Sequence, residues 1–166
     1  FLRYMVTDLA EDFFFFFGKK YKYMIVIYAD SLLTGRCIVQ LAQLMEENPS
    51  TGIIQTSPQI ILAKTFFQRI MQFSNSIHSF LFSVGANYWQ LNSSPFWGHN
   101  AIIRLRPFME HCGLPSLPKL GAVGGRILSY DTIEAALIRK AGYSVWFAFD
   151  LNGSYEEEKT GENKTR

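Results

Sequence analysis

The stretch YMIVIYADS, residues 23–31, decides the fold of this chain. Residues 23–28 form a continuous apolar run rich in β-branched and aromatic side chains, which is typical of a strand covered on both faces of a sheet. Polarity returns abruptly at Asp30 and Ser31. We therefore predict a buried strand that ends just before Asp30.

A helix is predicted immediately after this strand. Thr34 is a suitable N-cap, and the apolar residues that follow it recur at helical spacing until Asn48 and Pro49 interrupt the pattern. A strand, a turn and a helix in this order make half of a βαβ unit. The start of the chain thus favours an α/β fold.

The rest of the chain continues the alternation of strands and helices. Further strands are predicted over 52–55, 101–105 and 143–149, helices over 107–111 and 131–141, and a loop over 114–125. This order predicts a three-layer α/β sandwich with a mainly parallel sheet. Ligands of such sheets bind beyond the carboxyl ends of the strands, where Asp30 and Gln55 lie.

One predicted helix is unusually apolar. It has a broad apolar face, which fits a core helix packed on the sheet, or a helix that also lies on a membrane or on transmembrane segments outside this chain. The residues of this face are Phe66, Phe67, Ile70, Met71, Phe73, Ile77, Phe80, Leu81 and Val84.

Composition narrows the class of protein. The 166 residues, 48% hydrophobic and 18% charged, predict one folded domain rather than a disordered chain. The net charge of +2 comes from scattered residues, so we expect no nucleic-acid partner. Cys37 and Cys112 are distant in sequence and form no C-x-x-C motif, which favours reduced, packed thiols. No apolar stretch reaches the roughly 20 residues of a membrane span, and no dinucleotide or P-loop motif occurs.

Four segments together resemble the glucans biosynthesis glucosyltransferase H family, which belongs to glycosyltransferase family 2 with the cellulose and hyaluronan synthases. They are YMIVIYADS at 23–31, GIIQTSP at 52–58, FWGHNAIIR at 96–104 and ILSYDTIEAAL at 127–137. The resemblance covers residues 21–157, the expected catalytic core. Residues 1–20 match only loosely, and residues 158–166 form a charged tail.

The resemblance implies a GT-A-like, Rossmann-like fold and a specific chemistry. The expected activity is that of an inverting, processive β-glucosyltransferase that builds periplasmic glucans from UDP-glucose. Its expected partners are UDP-glucose, the growing β-glucan and transmembrane segments of a longer parent protein. The expected location is the cytoplasmic face of the bacterial inner membrane, and we expect the chain to be a core segment of that parent.

A divalent cation is implied by the same family. Its D-x-D motif holds Mg²⁺ or Mn²⁺ against the donor diphosphate, because a hard cation prefers oxygen ligands. The corresponding triplet here is Tyr28-Ala29-Asp30, so Asp30 is the expected metal ligand and Tyr28 weakens the site. Without the resemblance, Asp30 would be interpreted as a turn or cap residue.

The expected catalytic base is Asp131, because Ser129-Tyr130-Asp131 resembles the family's T-E-D motif. A base is needed to take the proton of the acceptor hydroxyl as that hydroxyl attacks the anomeric carbon. The alternative is that Asp131, with Glu134 three residues later, forms a capping box at the start of a helix.

The acceptor side is implied by Trp97, Gly98, His99 and Asn100, with an aromatic face for a pyranose ring and a tight glycine turn. A lone histidine such as His99 also occurs in purely structural roles. Gln55 and Ser57 are expected to line the donor side.

Two departures from the family leave other interpretations open. The Q-x-x-R-W motif expected after residue 155 is absent, and so is the uridine-binding Asp motif. The chain could therefore be a non-catalytic remnant with weak or no nucleotide binding, and we expect little or no activity from these residues alone. A soluble metal-dependent nucleotidyl or sugar-nucleotide transferase is a third interpretation, which the acceptor motif argues against.

Overall fold

The computed structural model of the chain describes residues 20–113, 117–120, 123–125 and 130–157, with the backbone alone between 117 and 125. The helices are α1 (Gly35–Glu47), α2 (Phe66–Gln90), α3 (Leu105–His111) and α4 (Asp131–Lys140). The strands are β1 (Tyr23–Val26), β2 (Ser31–Leu33), β3 (Thr51–Thr56), β4 (Gln59–Ile61), β5 (Ala101–Arg104), β6 (Leu117–Leu120), β7 (Val123–Gly125), β8 (Ser144–Ala148) and β9 (Ser154–Glu157). The predicted tail and nearly all of the predicted N-terminal extension lie outside the described residues.

The main sheet has the strand order β1-β5-β3-β8. Strand β3 is parallel to β8, whereas β5 is antiparallel to both β1 and β3. The prediction of a mainly parallel sheet is therefore wrong at β5, and the sheet is mixed. The reason is that β5 begins at the edge where its neighbours end, since its first residue, Ala101, pairs with Val26 and with Gln55.

Helices pack on both faces of this sheet. Adjacent residues of a strand point to opposite faces, so each strand contributes to both packing layers. On one face, Ile54 and Ile102 pack against Leu41 and other buried residues of α1. On the other face, Ile53 packs in a cluster with Ile138 of α4 and with buried residues of α3. The protein is a mixed α/β fold, as the order of elements predicts, and both cysteines are free and buried.

Helix α1 begins and ends where its sequence predicts. The Thr34 hydroxyl accepts a hydrogen bond from the Cys37 amide at 3.3 Å, which satisfies one of the free N–H groups of the first turn. The Asn48 side chain donates to the carbonyl of Leu44 at 2.9 Å at the other end. These local contacts explain why the pattern was sufficient to place α1.

A second, small sheet has the order β2-β9-β4 and was not predicted. Strand β9 is antiparallel to β2 and parallel to β4. In chain order β2 follows β1, β4 follows β3 and β9 follows β8, so each strand of the small sheet follows a strand of the main sheet. The small sheet thus stands at the carboxyl ends of the main strands, where the predicted site residues lie.

Helix α2 buries polar side chains and exposes its large apolar ones. Its buried residues are Gln68 and Ser83, and Gln72 donates to the carbonyl of Ile60 at 2.9 Å. Its large apolar side chains point outward, from Phe66 at 80% exposed to Trp89 at 84% exposed. The prediction of a helix with its apolar face in the core is therefore wrong, because amide and hydroxyl groups make the inward contacts. Within the described residues, no helix is both long enough and apolar enough to cross a membrane.

The predicted loop over residues 114–125 is also corrected. Strands β6 and β7 pair antiparallel within it, with Leu117 opposite Gly125 and Leu120 opposite Val123. Pro118, Gly124 and Gly125, which suggested a loop, lie instead in these two strands.

Gly52 tests the packing between β3 and α4, and Gly85, which lies in α2, serves as its control. A Cβ atom added at Gly52 would lie 2.6 Å from Cγ2 of Ile138, so Gly52→Ala forces β3 and α4 apart. We expect a loss of about 1–3 kcal/mol in the free energy of unfolding. Gly85 lies within α2 with nothing within 4 Å of its added Cβ, so Gly85→Ala should stabilise the protein by about 0.5–1 kcal/mol.

Urea denaturation of the two variants beside the unmodified protein provides the measurement. Equal unfolding midpoints for Gly52→Ala and the unmodified protein would contradict the described contact between β3 and α4.

Candidate active site

The residues Trp97–Asn100, named here the acceptor turn, are the last four residues of the segment that connects α2 to β5. Gly98 and Asn100 both have positive φ, at 86° and 49°. Glycine adopts this region without strain, and asparagine tolerates it better than most residues. Because β5 starts at the carboxyl ends of β1 and β3, the acceptor turn lies at the edge where α/β sheets bind ligands.

Gln55 holds the acceptor turn from the end of β3. Its side-chain amide donates to the carbonyl of His99 at 2.7 Å and accepts from the amide of Trp97 at 3.1 Å. The side chain is fully buried. Gln55, expected on the donor side, has its hydrogen bonds to the acceptor turn, so it is placed to fix the backbone of that turn.

Asn100 ties the same turn to β9. Its side-chain amide donates to the hydroxyl of Ser154 at 3.0 Å and to the carbonyl of Tyr155 at 3.3 Å. The hydroxyl of Thr56 donates to the carbonyl of Asn100 at 2.6 Å. Asn100, Thr56 and Ser154 are all buried. Sequence analysis missed Thr56 and Ser154, which are the last residue of β3 and the first residue of β9.

Ser57 contacts a different part of the structure. Its hydroxyl lies 3.4 Å from that of Ser83 in α2. The contact joins the end of β3 to the inward face of α2, and Ser57 keeps its donor-side role as a prediction only.

Asp131 and the acceptor turn are brought into direct contact. A Cβ atom added at Gly98 would lie 2.6 Å from Oδ1 of Asp131, so the carboxylate packs directly on the glycine. Asp131 is the first residue of α4, whereas Gly98 lies in the segment between α2 and β5. The predicted base and the predicted acceptor motif therefore form one site.

The alternative interpretation of Asp131 as part of a capping box is wrong. The N-cap of α4 is Tyr130, and no side-chain hydrogen bond caps this helix. Burial raises the pKa of the Asp131 carboxyl above its ordinary value, while its own backbone N–H and the nearby His99 oppose the rise. A raised pKa makes a carboxylate a stronger base. Ser129, the first residue of the predicted motif, lies outside the described residues.

His99 connects the acceptor turn to the triplet after β1. The rings of His99 and Tyr28 lie 4.5 Å apart at an angle of 32°. On the other side of the turn, Trp97 makes an edge-to-face contact with Phe147 at 5.1 Å and remains 39% exposed. Trp97 thus keeps an open aromatic surface, and Tyr28 occupies the first position of the predicted metal motif.

Asp30 is half-buried, and its carbonyl accepts a hydrogen bond from the amide of Glu157 in β9 at 2.9 Å. Among the described residues, no group of three or more His, Cys, Asp or Glu side chains is placed to hold a metal ion. One carboxylate is nevertheless the donor that a hard cation uses when phosphates and water supply its other ligands. The chemistry of Asp30 fits a cation that arrives with a diphosphate.

Glu134 is a second half-buried acid on α4, which sequence analysis placed only in a capping box. Burial, with a smaller contribution from the charge of Asp131, raises the pKa of Glu134 to about 8. The two carboxyls lie one helical turn apart, so ionisation of one opposes ionisation of the other.

Comparison with known proteins supports the resemblance. No protein-family profile matches the chain. The chain is 53% identical over 151 residues to a glucans biosynthesis glucosyltransferase H from Cupriavidus pinatubonensis. The aligned residues cover 91% of this chain and 18% of that protein. It is 52% identical over 147 residues to the protein of that name from Pseudomonas entomophila, with 89% of this chain and 17% of that protein covered. The Enterobacter sp. protein of that name is 51% identical over 147 residues, with shares of 89% and 18%.

These relatives are all glucosyltransferases by name. At half identity over nine tenths of its length, the chain belongs to the glucans biosynthesis glucosyltransferase H family. It spans less than a fifth of the length of the relatives that it matches.

The half-buried acid Glu134 predicts a dependence of stability on pH. Its ordinary pKa is 4.5 and its pKa in the folded protein is about 8, so the folded state holds a proton that the unfolded state releases. The resulting stabilisation is complete below pH 4.5 and is lost as the pH rises through 8. We expect the urea midpoint to fall between pH 5 and pH 8, and to fall less in Glu134→Gln.

Glu110→Gln is the control, because Glu110 is an exposed carboxylate on α3. A pH profile of Glu134→Gln that matches both the control and the unmodified protein would show that burial does not raise the pKa of Glu134.

Proposed function

We propose that this chain is the core of an inverting, processive β-glucosyltransferase that builds periplasmic glucans from UDP-glucose. The observation that supports it most is the contact between Gly98 of the acceptor turn and the carboxylate of Asp131. The family membership makes glucosyl transfer the reaction in which these residues would act.

In the proposed reaction, Asp131 takes the proton of an acceptor hydroxyl as its oxygen attacks the anomeric carbon of the donor. UDP departs from the opposite face, so the configuration inverts. Burial raises the pKa of Asp131, which increases its basicity, and the adjacent His99 favours the ionised form. Trp97 offers a face for the sugar ring, and Gln55 and Asn100 fix the turn that carries Trp97.

The proposed fold class is GT-A-like. Helices on both faces of the central sheet, and a site at the carboxyl ends of β1 and β3, support this assignment. The antiparallel β5 is what brings the acceptor turn to that edge.

Asp30 is the residue that we propose binds Mg²⁺ or Mn²⁺ together with the UDP diphosphate. The cation would neutralise charge on the departing UDP. Because Tyr28 replaces a carboxylate and stacks on His99, the nucleotide must supply more of the cation's ligands than in a two-carboxylate site.

For the parent protein we propose a position at the cytoplasmic face of the bacterial inner membrane, with transmembrane segments outside this chain. The outward apolar face of α2 supports this proposal, since an exposed face of that kind is typical of a surface covered by lipid or by other protein segments.

The alternative is a non-catalytic member of the family with weak nucleotide binding. Tyr28 is the observation that favours it, because this residue removes one charged ligand from the donor side. The two interpretations differ in whether Asp131 contributes to turnover.

The substitution Asp131→Asn in the full-length protein tests the base. Asparagine keeps the shape of the side chain but cannot take the proton, so glucosyl transfer should fall by roughly two to four orders of magnitude while UDP binding changes only a few-fold. Incorporation of radiolabelled glucose into glucan gives the rate, and calorimetry gives the affinity. Glu110→Gln, an exposed carboxylate change on α3, should leave both unchanged. Transfer near the unmodified rate in Asp131→Asn would remove the catalytic assignment.

Titration with UDP, with and without Mn²⁺, tests the cation. We expect Mn²⁺ to strengthen UDP binding, Asp30→Asn to abolish that effect, and Mn²⁺ alone to bind poorly because the described residues offer no three-ligand group. Tyr28→Asp should tighten Mn²⁺-dependent binding by about one to two orders of magnitude, since a charge-assisted contact contributes roughly 1.5–3 kcal/mol. UDP binding that ignores both Mn²⁺ and the Asp30 substitution would overturn the assignment.

A further inference from the structure

Strand β9 contacts both sides of the candidate site. It is the central strand of the small sheet, with β2 on one side and β4 on the other. Its first residue, Ser154, bonds to the acceptor turn, and the backbone N–H of its last residue, Glu157, donates to the carbonyl of Asp30. The proposed function gives this strand no role.

Ser154 is the point at which three buried side chains meet. Its hydroxyl accepts a hydrogen bond from the side-chain amide of Asn100 at 3.0 Å and lies 2.8 Å from the hydroxyl of Thr56. Thr56 and Asn100 are fully buried, and Ser154 is 1% exposed. The three side chains therefore hydrogen-bond to one another where water has no access.

A buried polar cluster of this kind specifies one arrangement of the segments that carry it. Its members lie on three segments, namely the end of β3, the acceptor turn and the start of β9. Apolar contacts are non-directional and tolerate small shifts, whereas a shift here would leave a buried polar group without its partner. The cluster thus holds the acceptor turn in one position relative to β9.

The other end of β9 is held on the donor side. The strand pairs antiparallel with β2, and Ser31 lies opposite Glu156. One residue further along, the amide of Glu157 donates to the carbonyl of Asp30 at 2.9 Å. The backbone of the proposed cation ligand is therefore joined to the acceptor turn through a single strand.

The start of β9 is also fixed against the first helix. Gly153 has a φ of 99°, and its carbonyl accepts a hydrogen bond from the amide of Thr34 at 2.9 Å. A Cβ atom added at Gly153 would clash with the hydroxyl of Thr34, the N-cap of α1. A strand that is paired on both sides and packed in this way at its start cannot slide without breaking several hydrogen bonds.

We propose that Ser154 is a positioning residue for glucosyl transfer. Through Asn100 and β9, it holds the acceptor turn in register with the backbone of Asp30, so that an acceptor hydroxyl on the turn meets the anomeric carbon of the donor. Ser154 acts through Asn100 and not by contact with a substrate. The identity of the reacting groups rests on the proposed function.

The substitution Ser154→Ala in the full-length protein tests this role. Alanine removes the hydroxyl and leaves the backbone pairing of β9 in place. We expect kcat for glucosyl transfer to fall about tenfold, as for the loss of one hydrogen bond. The KM for UDP-glucose and the affinity for UDP should stay within about twofold, because the donor contacts are unchanged. Incorporation of radiolabelled glucose gives kcat and KM, and calorimetry gives the UDP affinity.

Ser144→Ala is the matched control. The hydroxyl of Ser144 in β8 lies 3.1 Å from that of Thr51, the first residue of β3, whereas Ser154 contacts Thr56, the last residue of the same strand. Both variants lose a hydroxyl contact to β3, so both should lower the urea midpoint. Only Ser154→Ala should lower kcat, because Ser144 lies at the end of β3 that is remote from the acceptor turn.

Thr56→Val gives a second measurement of the same cluster. Valine keeps the shape of the side chain and removes its hydroxyl, so kcat should fall at least as far as in Ser154→Ala with UDP affinity unchanged. The double variant should lose little more than Thr56→Val alone, since both hydroxyls act on the same turn. If Ser154→Ala does not fold, Thr56→Val beside Ser144→Ala provides the same comparison.

The outcomes separate this inference from the proposed function. Unchanged kcat in both Ser154→Ala and Thr56→Val overturns the positioning role. An equal loss of kcat in Ser144→Ala, or a raised KM with kcat unchanged in Ser154→Ala, overturns it as well. The base is judged by Asp131→Asn: transfer that is lost there but full in Ser154→Ala and Thr56→Val removes only this inference.

Discussion

The candidate site depends on hydrogen bonds between the end of β3 and the acceptor turn. Gln55 and Thr56 together bind the backbone of three of the four turn residues, at distances from 2.6 to 3.1 Å. The side chains of Gln55 and Thr56 are fully buried, so a broken bond would leave a polar atom of either side chain without water, at a cost of about 1–3 kcal/mol. The turn therefore has one stable position, and this position brings Gly98 against Asp131. The antiparallel direction of β5 follows from the same constraint, because the chain leaves the turn at the edge where β1 and β3 end.

Local sequence signals predicted the elements that depend on local contacts. The apolar run of β1, the Thr34 cap of α1 and the amphipathic pattern of α4 each lie within a few residues, and all three elements are present. Strand direction is not a local property, so the pattern of β5 could not show that it is antiparallel. The small sheet was missed because its strands are three or four residues long and pair with distant segments. The pattern of α2 predicted a helix but did not show which of its faces is buried.

The residues of the candidate site likewise include some that the sequence predicted and some whose roles depend on distant contacts. The residues Trp97 to Asn100 and Asp131 were identified by resemblance, and the structure brings Gly98 and Asp131 into contact across a wide sequence separation. The role of Gln55 in holding the turn could not be read from its position at a strand end, because that role requires the turn beside it. The capping box that was the alternative interpretation of Asp131 and Glu134 is absent, since Tyr130 takes the N-cap position and no side-chain hydrogen bond caps the helix.

The hydrogen bonds that hold the acceptor turn do not involve Tyr28, the residue that stands in place of a carboxylate in the predicted metal motif. The acceptor turn is held by Gln55, Thr56 and Asn100, and the ring of Tyr28 lies against the ring of His99. In the proposed function, Tyr28 stands on the donor side in place of a carboxylate, and the hydrogen bonds of Gln55, Thr56 and Asn100 that hold the turn do not involve it. We therefore propose that this substitution lowers the affinity for a cation and nucleotide and leaves the geometry of the acceptor turn unchanged. On the function that we propose, the chain is better described by weakened donor binding than by loss of the catalytic arrangement, because the described contacts keep Gly98 against Asp131.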